Sequence, residues 1–149
     1  MAGGQEVKRD VEAFSGQPRA AYILYGAANA YRAAGMYEQA ILACNQMRTL
    51  APDDHTTALA QYGLGKTYYM MGNYSKAIRQ YETVLRDYGT REDRFIRTVL
   101  LNSSLGLARI YRKSGNSDRA MEYLKRVEAY NPPPPSAKRP SKRVRSRQK

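Results

Sequence analysis

The chain has 149 residues, enough for one domain with its own core. It carries 25 Lys and Arg against 13 Asp and Glu, a net charge of +12, and its single cysteine excludes an intrachain disulfide. No apolar run approaches the roughly 18 residues that span a bilayer, and neither an apolar signal stretch nor a glycine after Met1 is present; these features predict a soluble protein of the cytoplasm.

The elements follow in chain order. Val7, Val11 and Phe14 stand at i, i+4 and i+7 and predict a short helix within residues 1–18. It is read either as a cap on the stack that follows or as the remnant of a preceding repeat. Pro18 suits a first helical position, where its missing N–H costs nothing. Leu24, Ala27, Ala28 and Tyr31 then keep one helical face, and Gly35 ends the helix, since a residue without Cβ enters the left-handed region freely. A second helix places Ala40, Ile41, Cys44, Met47 and Leu50 inward. Pro52 stops it and Asp53-Asp54 forms a turn. Leu59, Leu64, Tyr68 and Met71 mark a third helix ending at Gly72. Ala77, Ile78, Tyr81, Val84 and Leu85 mark a fourth, closed by Gly89. Thr90, three residues before Asp93, predicts a capping-box variant opening a long helix over 91–113. After Gly115, Ala120, Met121, Leu124 and Val127 define a last helix that stops at Asn131-Pro132. Pro132–Pro135 predicts a short polyproline II spacer, and the composition of 136–149 cannot bury enough surface to order itself.

A pattern repeats within this series. Tyr31, Tyr68 and Tyr111 each precede a glycine by four residues (Gly35, Gly72, Gly115), and each glycine precedes an alanine by five (Ala40, Ala77, Ala120). The copies lie 37 and then 43 residues apart, the mark of a stacked array of supersecondary units. The units are about 19–54, 55–90 and 91–132, with 133–149 a Pro-rich and then basic tail. Small residues recur where paired helices approach closely: Ala28 with Ala40, Gly65 with Ala77, Ala108 with Ala120.

This pattern resembles the tetratricopeptide repeat. Leu64-Gly65, Tyr68, Gly72, Tyr74, Ala77 and Tyr81 match it in the second copy. Tyr31, Gly35, Tyr37, Ala40 and Pro52 match in the first, and Tyr111, Gly115, Ala120, Leu124 and Pro132 in the third. The bulky position early in each first helix departs from the family in two copies, being Leu24, Gln61 and Ser104. The resemblance implies an all-α fold, a right-handed α-solenoid of three helix-turn-helix repeats with a groove lined by the first helix of each pair. It projects Tyr25, Asn29 and Arg32, then Tyr62, Lys66 and Tyr69, then Leu105, Arg109 and Arg112 into that groove. Such a lining suits an acidic or amphipathic segment of a protein partner, and Arg and Tyr are the types enriched at binding hot spots. The carboxylate clamp of co-chaperone repeats is not expected: its positions here are Tyr25, Asn29, Gly63, Asn102 and Gly106, of which only Asn29 agrees.

Other motifs carry less. Gly63-Leu-Gly65-Lys66-Thr67 looks like the end of a phosphate loop, but Ala60 stands where a glycine is needed and no strand precedes it. His55 beside Asp53 and Asp54 reads as a capped helix start, Glu92-Asp93 as favourable charge at a helix N-terminus, and Cys44 as a small apolar core group. No nucleophile is paired with a base, so no catalytic residue, metal, cofactor or small-molecule substrate is expected.

The tail is the rival site. Lys138, Arg139, Lys142, Arg143, Arg145, Arg147 and Lys149 lie without an acidic residue among them. They suit nucleic acid, an anionic membrane, an acidic protein surface or a nuclear import receptor, which would allow a nuclear location. Seven phosphate contacts would give a log–log salt slope of about −6. Phosphorylation at Ser141 or Ser146 would weaken this. The reading is therefore a non-enzymatic adaptor or scaffold using its groove. The alternatives are a nucleic-acid-associated protein using its tail, and a chaperone for an aggregation-prone client.

Overall fold

The computed structural model describes residues 18–131. The expected N-terminal helix and the tail lie outside the described residues. Among the described residues the chain forms six helices and no strand: α1 Pro18–Ala33, α2 Tyr37–Leu50, α3 Asp54–Met70, α4 Tyr74–Tyr88, α5 Arg94–Lys113 and α6 Ser117–Tyr130. Each packs on its sequence neighbour, and α1 also touches α3 and α3 touches α5. The result is a solenoid of three helix pairs.

The same turn is built three times. Gly35, Gly72 and Gly115 have φ of 76°, 79° and 79°. Each lets the next residue's N–H reach back to the carbonyl of the repeated tyrosine: Met36 to Tyr31 at 2.8 Å, Asn73 to Tyr68 at 2.9 Å, Asn116 to Tyr111 at 2.8 Å. This satisfies carbonyls that a helix C-terminus would leave open. Asn73 and Asn116 then cap the following helix through their side chains, whereas Met36 cannot.

Two boundary expectations hold and one shifts. Asp53 caps α3 through the Thr56 N–H, the capped start expected beside His55, and Asp54 already belongs to the helix. Asp93 caps α5 through the Ile96 N–H at 3.0 Å, which moves the helix start from 91 to 94 and leaves Thr90 outside it. Gly89 ends α4 at φ −62°, in the right-handed region, so it closes the helix without using glycine's freedom.

The core is held by knobs on the second helix of each pair. The Tyr81 ring of α4 is 3% exposed. It lies between two glycines: a Cβ on Gly65 of α3, or on Gly106 of α5, would sit 2.6 Å from a ring carbon. Gly65 thus makes room for Tyr81. In the first repeat the equivalent knob is Cys44, fully buried, and its seats are Ala28 in α1 and Gly63 in α3, where a Cβ would lie 2.8 Å from Cys44 Sγ. The larger knob has the smaller seat, as close packing requires. In the third repeat the equivalent knob is Leu124. Its side chain is 40% exposed, and no seventh helix follows among the described residues.

Candidate partner-binding groove

The first helices α1, α3 and α5 share one face. The three copies are nearly in register, except that α5 has 20 residues and α3 has 17. Both end at the position two after their repeated tyrosine, so the extra residues lie at the start of α5, and at 1.5 Å each they extend it by almost one turn. That turn carries Arg94 and Phe95 past the end of α3. It closes one side of a cavity of about 570 Å³, lined by Tyr25, Leu59 and Tyr62 from α1 and α3, and by Arg94, Phe95, Thr98, Val99 and Asn102 from α5. The wall is mainly aromatic and aliphatic, and it contains no carboxylate. His55 lies outside the lining, stacked on Phe95 at 4.7 Å and paired with Asp93 at 3.1 Å.

Tyr62 links this well to the cations. Its ring lies under Lys66, with Nζ 5.4 Å from the centroid. Burial raises the pKa of the Tyr62 hydroxyl, the neighbouring Tyr25 adds to the rise, and the positive charges of Arg32 and Arg109 oppose it. Burial likewise raises that of Tyr25, against Arg32. Burial lowers the pKa of Lys66, and Arg32 lowers it further. Tyr25, Tyr62, Lys66 and Arg109 therefore form one electrostatic neighbourhood. Among the described residues, neither Lys66 nor Arg109 has a carboxylate within ion-pair distance.

The other expected residues separate from it. Arg32 is not an open groove cation: it is 3% exposed. Its guanidinium donates to the Gly63 carbonyl at 3.3 Å, to Thr67 Oγ1 at 3.2 Å and to the Asn29 side chain. Gly63 has no side chain to bar the way, so the long stem folds into the α1–α3 joint and its charge acts from beneath the surface. Asn29 is exposed, but its acceptor is spent on Arg32. Tyr69 is half-buried against the same core as Tyr62 but outside the well, 5.6 Å from the Tyr74 ring and covered by Lys113 Nζ at 5.1 Å. Arg112 is exposed in the last turn of α5 and has no side-chain partner among the described residues. The tail cations lie outside the described residues.

Sequence reasoning missed the well. Leu59, Phe95, Thr98 and Val99 fall outside the groove positions taken from the tyrosine register, because the added turn of α5 has no counterpart in the other repeats. The six-residue excess of the third spacing was the available signal.

Stacked helix pairs with an open aromatic and cationic face define a helical-repeat protein of the kind that binds other macromolecules. Family models described as tetratricopeptide repeat match residues 19–88 and 62–132. The chain belongs to the tetratricopeptide repeat family, whose members serve in general as protein-interaction modules and are typically not enzymes. No curated protein matches it. No helix among the described residues is long and apolar enough to cross a membrane.

Proposed function

We propose that this protein is an adaptor whose α1–α3–α5 face captures an acidic, amphipathic segment of a protein partner. The observation that carries the reading is Tyr62. One edge of it lines an apolar well, its ring lies 5.4 Å under Lys66, and it feels the charge of Arg109. An apolar side chain entering the well would bring neighbouring carboxylates to these cations. Lys66 is partly buried, so a pair formed there would count for more than the fraction of a kcal/mol typical of fully exposed pairs. Lys66 would regain, on meeting a carboxylate, the stability of its charged form that burial beside Arg32 takes away.

The test is fluorescence anisotropy with a labelled helical peptide carrying a Phe-Leu stripe beside a Glu flank. Lys66→Glu with Arg109→Glu should weaken binding by roughly thirtyfold, or about 2 kcal/mol. Deleting 133–149 should leave it within about twofold. Loss of all binding on that deletion, with a steep salt slope, would transfer the function to the tail. Binding that ignores both salt and the charge reversal would instead fit a chaperone gripping apolar clients.

A further inference from the structure

The exposed face of α1 repeats a seat that the chain fills twice elsewhere. Gly63 seats Cys44 of the preceding helix, and Gly106 seats Tyr81. Gly26 holds the same place in α1, 37 residues before Gly63 as Gly63 is 43 before Gly106. A Cβ on Gly26 would meet no atom within 4 Å among the described residues, and Tyr22 beside it is 52% exposed.

Two knobs in this sequence match that seat. One is Leu124, the third-repeat equivalent of Cys44 and Tyr81, which a second copy of the chain would offer. The other is Val7. It lies 37 residues before Cys44 and 19 before Gly26, just as Cys44 lies 19 before Gly63. Val11 and Phe14 continue an apolar stripe from it, and seventeen residues precede Pro18, where α1 begins.

We propose that the chain's own segment Val7–Phe14 docks on this face as the second helix of an incomplete repeat, with Val7 against Gly26. The tether decides between the two knobs. A segment joined by Ser15-Gly16-Gln17 meets the seat at an effective concentration of order millimolar, which a second copy reaches only at millimolar protein. The docked segment would cover Tyr22 and Gly26 on the open face of α1.

Disulfide trapping in the full chain, with Cys44→Ala to remove the native thiol, reads the contact directly. In the intact joint Cys44 Sγ lies 2.8 Å from the place a Cβ on Gly63 would take, close enough for bridging. Val7→Cys with Gly26→Cys should form a monomeric disulfide about tenfold faster than the off-register pair Asp10→Cys with Gly26→Cys. Equal rates for the two pairs would overturn the proposal. So would faster dimer formation by Leu124→Cys with Gly26→Cys, which assigns the seat to a second copy. Hydrogen exchange on the unmutated chain guards against damage by the substitutions: amides of residues 7–14 should exchange at least tenfold more slowly than those of 136–149, and equal exchange would overturn it.

Discussion

Asp53 shows how much one side chain can decide. Burial pushes its carboxyl upward, but the Thr56 amide at 2.9 Å and the Thr56 hydroxyl at 3.0 Å outweigh this and leave its pKa below the usual carboxylate range. A carboxylate held low in the folded state adds stability that is complete above its unfolded value. That contribution is lost as pH falls through the lowered one, over about pH 5 downward. Asp53→Asn keeps the cap and should flatten this part of the acid limb of a stability–pH profile. Asp53→Ala should cost about 1 kcal/mol at neutral pH in urea unfolding. Arg32 teaches the opposite lesson about legibility. Its register projected it into the groove, but no pattern of residue types announces that Gly63 and Thr67 draw the guanidinium inward. The identity of the side chain was readable, and its destination depended on a neighbour 31 residues away.

At the scale of elements, the helices and their order were readable because the glycine turns and the apolar stripes agree with one another. The start of α5 was not, since Thr90 and Asp93 each offer a plausible cap, and the structure uses Asp93, whose carboxylate accepts from the Ile96 N–H. The knob-and-seat pairing makes a sharp prediction. Gly106→Ala drives a methyl against the buried Tyr81 ring and should destabilise by about 1–3 kcal/mol. Inside α5, the Ser103 and Ser104 hydroxyls are buried and find no hydrogen-bond partner among the described residues. Ser104 holds the place that Leu24 fills in the first repeat. An unsatisfied buried hydroxyl costs about 1–3 kcal/mol, so Ser104→Ala should leave thermal stability unchanged or raise it. A fall in Tm would mean the hydroxyl has a partner after all.

Across the whole molecule, repetition sets the fold and its breach sets the site. Two joints of one design, Cys44 on Gly63 and Tyr81 on Gly106, stack the pairs and fix α1, α3 and α5 on a common face. If every repeat were alike, that face would be an even row of helices. The longer α5 breaks the symmetry and encloses the well, and Tyr62 ties the well to Lys66 and Arg109. Of the four expected cations, Lys66 and Arg109 stand beside Tyr62 where the family register projects them, whereas Arg32 is buried and Arg112 stands apart. The apolar half was not legible, because it arises from an added turn that a repeat pattern can only count as extra length.

The central claim is that well and cations act as one binding surface. The most direct test is amide chemical-shift mapping of the full chain titrated with the labelled acidic, amphipathic peptide. The account predicts saturable shifts concentrated on Tyr25, Tyr62, Lys66, Phe95, Val99 and Arg109, with Met121 and Leu124 unmoved. Shifts confined to residues 132–149, or split so that Phe95 and Val99 respond without Lys66 and Arg109, would contradict it.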